Sequence, residues 1–172
     1  MGFNGLDPPF IDALLLLHGR LEGSGVRWAV MGSVSHALRG LDIRPRDIDV
    51  FTDEEGAYEI ERLMGEYVSR RVSFSREGRI RSHFGELNVG GVRVEIIGDM
   101  ELLSEGGGWR PFLDDDQIQF IELEGAEIPV RSLEQEVEAN MRLGRHERAE
   151  HLRALIDRNR PVSTSTKNAD EP

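Results

Sequence analysis

No cysteine occurs among the 172 residues. That excludes disulfides, thiolate nucleophiles and cysteine-ligated zinc, and with them the mark of a secreted disulfide scaffold. Lysine is nearly as scarce: of 21 basic residues, only Lys167 is a lysine and the rest are arginine. The positive chemistry of the chain is therefore guanidinium chemistry, which suits bidentate contacts with phosphate or carboxylate. Positive charge as a whole is in deficit, with a net charge of −11. Broad binding to the backbone of duplex DNA needs clustered cations and is not expected; a local basic cleft remains compatible. Long apolar runs are also missing. The run Ala13–Leu17 is far shorter than the roughly 20 residues of a membrane-spanning helix. The N-terminus carries acids and prolines where a signal peptide would have a basic region, so the expected location is the cytoplasm, with no membrane partner.

A chain of 172 residues with 38% hydrophobic content can form one globular domain with a real core. Phe10, Leu14, Leu17 and Leu21 recur at helical spacing, after Pro8-Pro9 and before Gly23-Ser24-Gly25. Val26–Met31 reads as a buried strand, Ser33–Leu38 as a short helix closed by Gly40, and Asp47–Phe51 as a strand. Glu54–Val68 reads as a helix with Ile60, Leu63, Met64 and Tyr67 on one side. Strands are predicted over 71–76, 79–89 and 92–97, joined by tight turns at Glu77-Gly78 and Gly90-Gly91, and residues 99–116 are expected to be loop. A further hairpin turns around Gly125. Ser132 three residues before Gln135 fits a capping box opening a helix to about Leu143, and a last helix covers about 145–158. Residues 161–172 are too polar to order themselves. Tight turns between strands 71–97 leave no room for crossover helices, so the order suits a mixed sheet packed by helices and not a doubly wound parallel sheet.

The stretch from Trp28 to Asp53 carries the chemistry. Asp47 and Asp49 stand at i and i+2 of a strand and so point to one face, where like charges repel unless a cation shields them. Asp is depleted in strands, which strengthens the case for a ligand role over a solvated strand face. Glu95, in Val92–Ile97, is a third strand acid, with Asp99 as its substitute. Three carboxylates on neighbouring strands make a hard oxygen site suited to Mg²⁺. Gly32-Ser33 at a helix start can act as a plain turn and N-cap, and also as a phosphate seat.

A Gly-Ser pair after an apolar strand, thirteen residues, then Asp-Ile-Asp-Val and a later strand acid resemble the DNA polymerase β-type nucleotidyltransferase superfamily. Within it, the chain resembles small prokaryotic nucleotidyltransferase-domain proteins related to antibiotic-modifying and toxin-type transferases. The match covers about 26–99, with an echo over 128–156. The resemblance implies an α+β nucleotidyltransferase fold; the expected division is a nucleotidyltransferase domain over 1–130, C-terminal helices over 131–160 packed on it, and, from its polar composition, a disordered tail over 161–172. It implies transfer of a nucleoside monophosphate from an NTP, ATP among the candidates, to an acceptor with release of pyrophosphate. Two Mg²⁺ ions, or Mn²⁺, would be held by Asp47 and Asp49, with Glu95 completing the site beside the acceptor hydroxyl. Gly32 and Ser33 would take the β- and γ-phosphates, and Arg44 or Arg46 would offset their charge. The acceptor, whether small molecule, RNA or protein, is left open, as are the choice of NTP and the oligomeric state.

Two other readings compete. One is a nucleotide- or partner-binding module of the same fold without catalysis, against which the intact acid triad argues. The other is a toxin-type transferase acting on RNA or protein. Elsewhere the residues read blandly. His18, His36, His83, His146 and His151 have no metal-type spacing and are taken as packing or surface residues, His83 being the one worth testing. Asp114–Asp116 is taken as a solvated acidic loop. Asn140 and Glu147-Arg148 stand where similar proteins often carry a lysine and Lys-Asp, so the last helix is expected to pack Leu152, Leu155 and Ile156 and not to serve the nucleotide.

Overall fold

The computed structural model describes residues 6–112 and 117–158. The acidic run 114–116 and the tail 161–172 lie outside the described residues. The elements in chain order are α1 (Pro8–Leu21), β1 (Trp28–Met31), α2 (Ser33–Leu38), β2 (Ile48–Thr52), α3 (Glu54–Leu63), β3 (Val68–Glu77), β4 (Ile80–Val89), β5 (Val92–Leu103), β6 (Trp109–Pro111), β7 (Ile118–Leu123), β8 (Ala126–Arg131), α4 (Leu133–Arg142) and α5 (His146–Arg158). Among the described residues, no helix is long and apolar enough to cross a membrane.

One sheet of eight strands runs in the order β3-β4-β5-β2-β1-β8-β7, with β6 added to the far end of β5. The pairs β2·β5 and β1·β8 are parallel and the others antiparallel, so the sheet is mixed, as the turn pattern implied. Strand alternation decides its two faces. Val30, Ile48, Val50, Val94 and Ile96 point to one side and join the main core with Leu14, Leu17, Ala57 and Ile60 of α1 and α3. Each fully buried valine, leucine or isoleucine among them contributes about 1.5–3 kcal/mol. The intervening residues, Met31, Asp49, Phe51, Glu95 and Ile97, take the other face. That face is not covered by α1 and α3. Instead α4 presses Ala139 against Met31 and Phe112. The α4–α5 pair encloses its own small core of Val137, Ala149 and Leu152 with Leu41, flanked by Leu155 and Ile156.

Ser132 caps α4 as expected, its Oγ accepting from Gln135 N at 3.2 Å. Two expectations need correction. The helix begun at Glu54 stops at Leu63 and passes through a short 3₁₀ turn, Gly65–Tyr67, into β3. Glycine is a poor helix interior residue, by roughly 1 kcal/mol, and Gly65 sits where the helix would have to continue. Of the segment 99–116, expected to be loop, the described part 99–112 instead extends β5 to Leu103 and returns as β6, pairing Leu103 with Trp109 and Glu101 with Pro111. The glycine run is the turn that permits this: Gly107 and Gly108 have φ of 77° and 102°, and Gly108 O accepts from Ser104 N at 3.0 Å.

Candidate active site

The face left open by α1 and α3 carries a cleft of about 670 Å³. Its walls include Gly32, Ser33, Arg44, Arg46, Asp47, Asp49 and Glu95, so every residue singled out from the sequence for the site faces one space. The parallel pairing of β2 with β5 brings this about by setting Asp49 directly beside Glu95. Glu95 is therefore not a solvated strand position. Asp99, its substitute, is committed elsewhere: its Oδ2 accepts from Glu54 N at 3.0 Å and helps cap α3.

The acids stand in an unfavourable field. Desolvation, then the charges of Asp47, Glu95 and Glu136, push Asp49 up to about 7 from 3.8. Glu95 is raised as well, chiefly by desolvation, with Arg93 opposing and Asp47 and Glu86 adding to the rise. Asp49 and Glu95 stand side by side on the paired strands, and each bears on the titration of the other. One guanidinium nitrogen of Arg93 bridges the other two sides, 2.6 Å from Asp47 Oδ2 and 3.3 Å from Glu95 Oε1. Among the described residues, no three acids or histidines are gathered closely enough to hold a metal ion as they stand. The donor set nevertheless fits a divalent cation: three carboxylates on one face, crowded enough that one holds a proton near neutrality and another leans on an arginine. Gly32 fits the same reading. Its backbone (φ 77°, ψ −151°) is open to glycine almost alone, and a Cβ there would stand 3.0 Å from Asp49 Oδ2, in the space before the acid.

Three features of the cleft were not foreseen. Glu136, 1% exposed, reaches from α4 to accept from Gly32 N at 2.9 Å, from the Ser35 hydroxyl, and to meet His36 Nε2 at 2.6 Å. Arg39 adds a bond to Ser35 Oγ at 3.2 Å and to Arg131 O at 2.6 Å. His36 is thus neither a surface nor a plain packing residue; it belongs to a buried polar network that locks the Gly32-Ser33 turn to α4. The signal was present, since Glu136 falls on the same helical stripe as Ala139 and Leu143, where an apolar residue belongs. Second, Asn140, Arg145 and Arg148 line the cleft, so the C-terminal helices contribute to its wall as well as packing Leu152, Leu155 and Ile156. Third, a neighbouring hollow of about 430 Å³ shares Phe51, Met100 and Phe112 with the cleft. His83 lies there, its ring against Phe74 at 5.5 Å and its Nδ1 3.2 Å from the Tyr58 hydroxyl.

A mixed sheet with paired strand acids beside a Gly-Ser turn defines a nucleotidyltransferase fold. The sequence model of the aminoglycoside-2''-adenylyltransferase family matches residues 13–155, and the chain belongs to that family. A candidate nucleotidyltransferase from Thermotoga maritima is 43% identical, with a TM-score of 0.78 over 92% of this chain and 99% of that one. The lincosamide antibiotic adenylyltransferase LnuA, in its lincomycin-bound structure, shares the fold at 18% identity, with a TM-score of 0.54 over 88% of this chain and 99% of its own. No functionally curated protein matches. The protein is an enzyme of the nucleotidyltransferase class.

Proposed function

We propose that the protein transfers a nucleoside monophosphate, from ATP in the first instance, to a hydroxyl of a small-molecule acceptor, with release of pyrophosphate. The observation that carries this is the convergence of Asp47, Asp49 and Glu95 with the Gly32-Ser33 turn on one cleft that also bears Arg44, Arg46, Arg145 and Arg148. Asp47, Asp49 and Glu95 would hold divalent metal, Mg²⁺ or Mn²⁺, which supplies charge neutralisation at the phosphoryl group and activates the acceptor hydroxyl. Ser33 and the turn's remaining N–H groups bind the β- and γ-phosphates, because Gly32 N–H is already given to Glu136. The arginines offset the triphosphate charge and favour departure of pyrophosphate. A small acceptor is favoured over RNA or protein by the adjoining hollow, which has the size of a small-ligand site and joins the acids by way of Phe51, Met100 and Phe112. Its aromatic rings and acids, Trp28, Phe74, Asp53 and Asp99, alongside Arg27 and Arg131, suit a hydroxylated body bearing amines, the chemistry named for the related aminoglycoside and lincosamide transferases. A cytoplasmic location agrees with an ATP-using enzyme.

Pyrophosphate release and label transfer from each NTP, with Mg²⁺ or Mn²⁺, against aminoglycosides, lincosamides and cell extract, test the proposal. Transfer to a small molecule that EDTA abolishes is expected. In Glu95→Gln, nucleotide affinity should change by less than about threefold while turnover collapses, the mark of an interaction used mainly in the transition state. Tight ATP binding without transfer to any acceptor would favour the non-catalytic module instead. Label appearing on RNA or protein alone would favour the toxin-type transferase.

A further inference from the structure

We propose that Arg93 is the internal counter-ion of the three acids, placed so that a divalent cation must displace it and therefore enters together with the nucleotide. The inference rests on the reading of Asp47, Asp49 and Glu95 as metal ligands. Arg93 stands two residues before Glu95 on β5, so strand alternation returns it to the acid face. A single guanidinium nitrogen then meets Asp47, the residue just before β2, at 2.6 Å and Glu95 of β5 at 3.3 Å. A cation bound by those two oxygens and the same guanidinium cannot coexist there.

Arg93 is also able to leave. Its side chain is 55% exposed, against 23% for Asp47 and 22% for Glu95, so the arginine has open space to turn into and the acids have less. A second anion awaits it. Glu86 of β4 lies directly across from Glu95, on the same face, and its charge already acts on Arg93. Displacement thus moves the guanidinium from one carboxylate group to another without leaving it unpaired. A bare Mg²⁺ ion must shed tightly held water and evict an ion pair in exchange for a few carboxylate contacts. An ion already chelated by a triphosphate brings phosphate ligands of its own and starts from a better position. Arg93 therefore holds the site closed to free metal and yields it to the metal–nucleotide complex.

The test is Mn²⁺ binding to the metal-stripped full-length protein, followed by electron paramagnetic resonance of the free ion, with and without a non-hydrolysable ATP analogue. Arg93→Gln should bind Mn²⁺ alone about tenfold more tightly than the wild type. With the analogue present, the two proteins should agree within about threefold. Metal-free Arg93→Gln should melt lower than wild type and recover when Mn²⁺ is added. If Arg93→Gln is less stable but binds Mn²⁺ no more tightly, Arg93 is an ordinary structural ion pair and the inference is overturned. Arg93→Thr, suited to an exposed strand position, answers the same question should the glutamine variant fail to fold. Failure of both wild type and variant to bind Mn²⁺ even with the analogue would sink the metal-site reading itself, a separate outcome.

Discussion

Asp49 is the residue on which the electrostatics of the site turn. Its folded-state value of about 7 lies above its ordinary 3.8. Between roughly pH 4 and 7 the folded protein keeps a proton that the unfolded chain has lost, so stability must fall as pH rises through that window. Three units correspond to at most about 4 kcal/mol, less what water in the cleft screens. Asp49→Asn removes the titration, so the metal-free variant should melt above wild type at pH 8 and equally at pH 4; matching profiles across that range would show that Asp49 is not the strained group. If Asp49 is a metal ligand as proposed, activity should drop by orders of magnitude, because that ligand is lost. For the same reason, affinity of the wild type for the magnesium–nucleotide complex should rise with pH through about 7. The acids themselves were legible in the sequence, because two aspartates two residues apart in an apolar strand are costly without a purpose. Arg93 was not, because its role depends on strand pairing, which sets β5 beside β2 across more than forty residues of chain.

At the scale of elements, the Gly32-Ser33 turn depends on α4. Glu136 crosses from α4 to the turn and to Ser35 and His36, and is itself almost fully buried. Removing one partner of such a buried network strands the others and costs about 3–5 kcal/mol. Glu136→Ala should therefore lower the unfolding free energy measured in urea by that amount and raise KM for ATP, since the turn loses its anchor. A loss of less than about 1 kcal/mol would mean that the turn is rigid by itself. Gly32→Ala probes the same turn from the other side. The backbone conformation and the 3.0 Å approach to Asp49 together make an added methyl cost about 1–3 kcal/mol. Its nucleotide affinity should fall along with stability; an active, stable variant would remove the turn from the phosphate site. Most elements could be read from periodicity and turn residues. What could not be read was the coupling between them. The place of Glu136 on the apolar stripe of α4 marks it as unusual in the sequence, but its partners follow only from the parallel β1·β8 pairing, which leads the chain from β8 into α4 beside the turn. The β6 strand was missed for a related reason: three consecutive glycines signal a loop, whereas here they form the turn of a hairpin whose strands lie outside the run.

On the scale of the whole molecule, two fields of opposite sign compete for the nucleotide. The chain carries −11, which repels a magnesium–nucleotide complex at long range. The cleft carries Arg44, Arg46, Arg145 and Arg148, which attract it at short range. Salt separates the two by reach. At about 10 mM ionic strength the field extends some 30 Å and the entire surface counts; at about 150 mM it extends only about 8 Å, and an incoming phosphate senses mainly the nearby arginines. Near 1 M, about 3 Å remains and the arginines are screened as well. The association rate of the magnesium–nucleotide complex should therefore rise between about 10 and 100 mM salt and fall beyond, a maximum that a uniformly acidic protein would not show. Replacing Arg145 and Arg148 by alanine leaves the long-range repulsion and weakens the short-range attraction. In that variant the rate should rise with salt over a wider range and peak later, with a higher KM for ATP throughout. Stopped-flow binding of a fluorescent ATP analogue across this range measures both. A rate that only falls with salt in the wild type would mean that the arginines dominate at every distance and that the acidic surface faces away from the path of entry. An unchanged profile in the double variant would place Arg145 and Arg148 outside that path and leave the phosphates to Arg44, Arg46 and the turn.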